Sequence, residues 1–98
     1  MEHIEAALEA AAVELIGPLR QGMGLDEKAA NRLKQALRTA AQEWMNAETI
    51  SKSTANLFID LANGIGACGD AYGGEEGERI KAIADEVADL VRACVAHP

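Results

Sequence analysis

Apolar residues recur at three- and four-residue spacing along nearly the whole chain, and that rhythm breaks at three places. Spacing near 3.6 residues marks a helix with one buried side, whereas a half-buried strand alternates every second residue. The breaks are Gly17-Pro18 with the loop at 21–24, the segment before Ser51, and Gly73-Gly74. The pattern predicts an all-α chain folded as an antiparallel four-helix bundle, with helices over about 2–16, 26–46, 52–72 and 75–96. At 98 residues the four helices must share one interior, so a single domain is expected. Aromatics make up only 3% of the chain, which leaves Leu, Ile, Val and Ala to fill a thin core.

The first helix carries Ile4, Leu8, Ala11 and Leu15 on one side. Glu2, Glu5 and Glu9 lie on another, near the positive end of the helix dipole. Val13 and Ile16 lie off the apolar stripe and either widen the core contact or form an exposed patch. Asp26 is the expected N-cap of the second helix, whose stripe is Leu25, Ala29, Leu33, Leu37, Ala40 and Trp44. Lys28, Arg32, Lys34 and Arg38 flank that stripe on both sides, so they are expected to pair with acidic neighbouring helices rather than form a nucleic-acid patch.

In the third helix, capped by Ser51 or Ser53, the core line is Leu57, Phe58, Leu61, Ile65, Cys68 and Tyr72. Beside it runs a second line, Ala62, Gly66, Gly69 and Gly73. An interior glycine costs a helix about 1 kcal/mol relative to alanine, so Gly64, Gly66 and Gly69 need a reason. Three remain open: a close crossing inside the bundle, a homodimer or partner contact, or a local kink or break in the helix. The fourth helix opens on Glu75, Glu76 and Glu78 and buries Ile80, Ile83, Val87, Leu90, Val91 and Cys94. Its outer face holds Glu78, Asp85, Glu86 and Asp89, with Lys81 expected to pair with Asp85.

The run Gly64-Ile65-Gly66-Ala67-Cys68-Gly69 spells the G-x-G-x-x-G of dinucleotide-binding folds. That motif works where a strand leads into a helix whose first amides face a pyrophosphate. Here the glycines lie inside a helical pattern that ends at Gly73-Gly74, and no other strand is available. Lys52-Ser53-Thr54 lacks the upstream glycines of a phosphate loop. His3, Cys94 and His97 would gather at one end of an up-down-up-down bundle, but a zinc site needs a fourth ligand and none is evident. The inward stripes carry neither Glu nor Glu-x-x-His, which excludes a di-iron centre. Cys68 and Cys94 read as small core hydrophobes, too far apart along their helices for a disulfide. No cofactor, metal or catalytic group is expected, and the chain is not read as an enzyme.

Sixteen acidic residues against nine basic ones give a net charge of −7, which disfavours nucleic acid and anionic membranes as direct partners. No stretch reaches the roughly 20 apolar residues of a membrane span, and the N-terminus lacks the lysines of a signal peptide, so a cytoplasmic location is expected. The expected partner is another protein with a basic surface. The chain then reads as a small acidic binding module, such as an inhibitor, an immunity or anti-CRISPR-like protein, or an antitoxin-like regulator. Glu2, Glu5, Glu9, Glu78, Asp85 and Asp89 would be its partner-binding residues. The alternative is a structural or oligomeric module, a homodimer joined through Ile59, Ala62, Gly66, Gly69 and Gly73.

Overall fold

The Asp26 carboxylate accepts hydrogen bonds from the amides of Lys28 (3.0 Å) and Ala29 (3.2 Å), and Ser51 Oγ accepts one from Thr54 (3.1 Å). Each cap satisfies amides that open a helix without an acceptor of their own. In the computed structural model the helices are α1 Glu2–Arg20, α2 Glu27–Glu43, α3 Lys52–Tyr72 and α4 Gly74–Val95. The structure describes the backbone of residues 2–45, 47 and 49–95, with their side chains except those of Glu2, His3 and Ala62.

The Gly17-Pro18 pair does not end α1 at residue 16; the helix continues a further turn to Arg20. Pro18 has no amide to bond back along the helix, but Leu19 behind it is fully buried in the core and holds the turn in place. The stop lies at Gly22, where φ is +74°. There the Met23 amide bonds the Pro18 carbonyl (2.9 Å) and the Gly22 amide bonds the Leu19 carbonyl (3.2 Å). This left-handed cap is most easily occupied by glycine. Helix α2 stops at Glu43 rather than near 46, because Trp44 leaves the helix as its C-cap and is buried. Asn46 and Ala96, the expected ends of the second and fourth helices, lie outside the described residues. Helix α3 is unbroken through Gly64–Gly69, so the glycines do not interrupt it.

Helix α1 packs against α2 and α3, and α4 packs against the same two, while the diagonals make no close backbone approach among the described residues. The 40 × 22 × 21 Å extents fit this arrangement, one helix long and two wide. Glu27 pairs with Arg79 and Lys34 with Glu86, so α2 and α4 run in the same direction. The Tyr72 hydroxyl reaches the Leu19 carbonyl, so α1 and α3 end at the same face. The bundle is therefore two antiparallel hairpins, α1/α2 and α3/α4, laid side by side, with the 44–51 connection crossing the diagonal between them. Leu8, Leu15, Leu33, Leu37, Leu61, Ile65, Ile80, Ile83 and Val87 are fully buried in one shared core, with Ala11, Ala12, Ala29, Ala30, Ala40 and Ala84 filling the narrow places.

The glycines of α3 divide by environment. A Cβ on Gly77 of α4 would stand 2.6 Å from the Gly69 carbonyl oxygen, and one on Gly69 would stand 3.0 Å from the Gly77 carbonyl oxygen. Gly69 and Gly77 together form the close crossing of α3 and α4. Gly66 has no atom within 4 Å of its Cβ position. The crossing also redirects Lys81, which pairs with Asp70 of α3 at 2.9 Å instead of with Asp85.

Both ends of the bundle are fastened by aromatics. At one, Tyr72 Oη accepts from the Gly24 amide (3.0 Å) and donates to the Leu19 carbonyl (2.9 Å), while Glu76 accepts from the Leu25 amide (3.0 Å). The α1–α2 loop is thereby tied to the α3–α4 turn. At the other, the rings of Trp44 and Phe58 lie 6.5 Å apart with a 56° tilt.

Candidate functional site

The seam between α1 and α3 is the most loosely packed of the four. Toward it α1 turns Glu5, Glu9, Ala12, Val13, Ile16, Gly17 and Arg20, a stripe at helical steps of three and four. Opposite stand Ser53, Thr54, Asn56, Leu57 and Asp60 of α3. Between these walls lie two adjoining depressions of about 330 and 240 Å³ that share Leu57 and Asp60. One half is lined by the carboxylates of Glu5, Glu9 and Asp60. The other is apolar, with Ala12, Val13, Ile16 and Leu57, and closes on Arg20, whose guanidinium lies 3.6 Å from the Cβ position of Gly64. Val13 and Ile16 thus divide between the two roles open to them: Ile16 is buried and widens the core, while Val13 is 65% exposed at the groove.

Of the six acids singled out in the sequence, Glu5 and Glu9 belong to this groove, where they meet Asp60. Asp60 lies on no apolar or acidic line of α3, and nothing marks it until α1 is known to be the neighbour. Glu78, Asp85 and Asp89 are exposed on α4, at the corner diagonal to α1. The acids therefore form two separate surfaces, and Asp89 is engaged by Arg92 on its own helix. The side chains of Glu2 and Ala62 lie outside the described residues. Of the second line on α3, Gly69 is buried in the α3/α4 crossing, Gly66 is half-buried, and Ile59 and Gly73 are exposed.

The chain matches no protein-family model, no curated protein and no solved structure.

Arg32 pairs with Glu14 of α1 (3.0 Å) and Lys34 with Glu86 of α4 (2.9 Å), the interhelical pairing expected of the basic run on α2. Lys28 and Arg38 make no ion pair among the described residues. Arg79 grips Glu27 through both Nε (2.9 Å) and Nη2 (2.8 Å), the planar fork geometry that suits a carboxylate. The Lys34 side chain is largely buried, and its ammonium ends on the half-exposed Glu86 carboxylate.

These pairs set the response to acid. Hydrogen bonds from Arg79 and from Lys34 hold the carboxyls of Glu27 and Glu86 below the ordinary value of 4.5. A carboxyl depressed in the fold contributes stability that is present above its unfolded pKa and lost as pH falls through its folded one. Protonating the unpaired acids relieves repulsion at the same time, so the diagnostic is a difference. The melting temperature of the wild type minus that of a Glu27→Gln/Glu86→Gln variant, measured by circular dichroism from pH 7 to pH 3, is expected to shrink below about pH 4.5. A constant difference contradicts the assignment.

Cys94 is buried and its thiol donates to the Leu37 carbonyl at 3.4 Å. Burial pushes that thiol up to about 11, which keeps it protonated and unreactive at neutral pH. Cys68 is free and half-buried. Among the described residues no group of three or more His, Cys, Asp or Glu converges as metal ligands, and no helix is long and apolar enough to cross a membrane. The side chains of His3 and His97, the other members of the terminal zinc arrangement, lie outside the described residues.

Proposed function

We propose that the protein is a non-catalytic binding module that presents carboxylates to a basic surface on a protein partner, as inhibitors and immunity or anti-CRISPR-like proteins do. The observation that carries this reading is where the charge is spent. Arg32, Lys34, Arg79, Lys81 and Arg92 are all taken up by the protein's own carboxylates. Glu5, Glu9, Asp60, Glu78 and Asp85 have no ion-pair partner among the described residues. The other described acids without an ion pair, Asp26, Glu43, Glu75 and Glu76, stand at helix ends, so along the helix faces the surplus of a chain with charge −7 lies at two corners, α1/α3 and α4, where a basic partner gains both steering and register.

Affinity capture on the purified chain, from the cells that make it, with mass spectrometric identification, tests this. A retained protein with a basic surface is expected, released at about 0.5 M salt, where the screening length falls to a few ångströms. Combined Glu9→Lys, Asp60→Lys, Glu78→Lys and Asp85→Lys substitutions should abolish its retention without unfolding the bundle. Retention unchanged in that variant removes the reading.

Self-association through α3 is the competing reading, favoured by Ile59, 59% exposed, and by the open space at Gly66. Against it, Gly69 in the same line is used inside the α3/α4 crossing. A dimer mass by light scattering that falls to a monomer with Gly66→Leu favours self-association; a monomer throughout removes it.

A further inference from the structure

Charge alone makes a weak interface, because exposed ion pairs are each nearly neutral in free energy once screening and side-chain ordering are counted. A binding surface needs apolar area at its centre with charge at its rim. The two acidic corners differ in this respect. Glu78 and Asp85 stand on the outer side of α4, whereas Glu5, Glu9 and Asp60 border a groove floored by Ala12, Ile16 and Leu57, with Val13 at its edge.

Resting on the binding reading above, we propose that the α1/α3 groove receives an amphipathic helix from the partner, whose apolar stripe lies on Val13, Ile16 and Leu57 and whose lysines or arginines meet Glu5, Glu9 and Asp60. The dimensions specify the occupant. From Glu5 to Arg20 the groove follows sixteen residues of α1, about 22 Å at a rise of about 1.5 Å per step, which is the length of about four helical turns. Its walls are two helices running in the same direction, and a fifth helix settles between such a pair as helices pack in bundles, ridges into grooves. Alanine and glycine at positions 12 and 17 let the incoming backbone approach closely. The charges are arranged unevenly along the groove, with Glu5 and Glu9 in one half, Asp60 where the halves join and Arg20 closing the other. The partner helix is therefore basic toward the Glu5 end and carries a carboxylate or a neutral residue at the Arg20 end. A second copy of this chain fits less well, since each copy would bring the same three carboxylates against a single arginine.

The test uses the full chain and a fluorescein-labelled peptide of about 18 residues, with leucines at helical spacing on one face and Lys or Arg flanking them in one half. A second peptide has serine for leucine, and a third has glutamate for Lys and Arg. Fluorescence anisotropy is expected to give saturable binding of the first peptide. That binding should weaken about tenfold with Val13→Glu and with Asp60→Lys, and change by no more than about twofold with Asp85→Lys on α4. The serine and glutamate peptides should bind about tenfold more weakly or not at all. Val13 is mostly solvent-exposed and Asp60 is exposed, so both variants should keep the wild-type circular dichroism spectrum and melting curve. If the serine peptide binds as well as the leucine peptide, or if Asp85→Lys weakens binding as much as Asp60→Lys, the groove is overturned while the acidic-binding reading stands. If no basic peptide binds, the groove is overturned, and the acidic-binding reading is decided by the affinity capture alone. A dimer in sedimentation velocity that Val13→Glu dissociates also overturns the proposal, because the groove is then covered by a second copy.

Discussion

Gly77→Ala is expected to destabilise the protein by about 2 kcal/mol, and Gly66→Ala to stabilise it by about 0.5–1 kcal/mol, although both replace a helical glycine by the best helix former. The difference lies in what the new methyl group meets. At position 77 it would be driven to 2.6 Å from the carbonyl oxygen of Gly69, and neither backbone can yield without separating α3 from α4. The overpacking cost, about 1–3 kcal/mol, then exceeds what propensity returns, and the return is small in the first turn of α4. At position 66 no atom lies within 4 Å, so the substitution keeps its propensity gain in full. Gly69→Ala falls between, because its methyl meets the flexible Lys81 side chain at 2.8 Å as well as the Gly77 carbonyl oxygen at 3.0 Å. Guanidinium unfolding followed by circular dichroism gives the three values. For a chain of this size 1 kcal/mol corresponds to about 4–8 °C in melting temperature, so opposite shifts are easily resolved. Shifts of the same sign at 66 and 77 would disprove the close crossing.

That crossing also shows which parts of the fold were legible in the sequence. The four stripes, the Asp26 cap and the Gly73-Gly74 stop follow from spacing and turn chemistry, which are local and survive without knowledge of neighbours. The end of α1 did not follow, because Pro18 signals a break while the burial of Leu19 keeps the turn, and burial is a property of the whole bundle. The reason for the α3 glycines required the partner glycine at 77, which in the sequence is one small residue among the glutamates opening α4. Spacing along α4 points Lys81 to Asp85, whereas the interhelical approach gives it Asp70. The groove was the least legible feature. Glu5 and Glu9 were visible as acids and Val13 as an apolar residue off its stripe. That they share a depression with Leu57 and Asp60 depends on the order of helices around the bundle, and with α2 and α3 on the diagonal that order departs from the simplest one, in which successive helices are neighbours.

The diagonal connection is where the second large effect is expected: Trp44→Ala should cost about 3–5 kcal/mol, the range for deleting a buried aromatic. Trp44 and Phe58 are each 5% exposed, and they are two of only three aromatic residues in the chain. They meet where α2 has ended and α3 has begun, so the ring contact closes the segment that passes from one hairpin to the other. Of the total, about 0.5–1.5 kcal/mol belongs to the tilted ring pair itself and the rest to apolar area and the cavity left behind. A small domain of total stability about 5–15 kcal/mol loses a large fraction of it this way, and the alanine-rich core has few bulky side chains with which to refill the space. Phe58→Leu keeps most of the volume and should cost less, about 1–1.5 kcal/mol. Hydrogen exchange under native conditions distinguishes a local from a global effect. Protection in Trp44→Ala should fall first through residues 40–58, while the far end, tied by Tyr72 to Leu19 and Gly24, should lose protection only with global unfolding. A loss below about 1 kcal/mol, or exchange that rises equally at both ends, would mean that the two hairpins are held together by the helix seams alone and that the connection merely spans them.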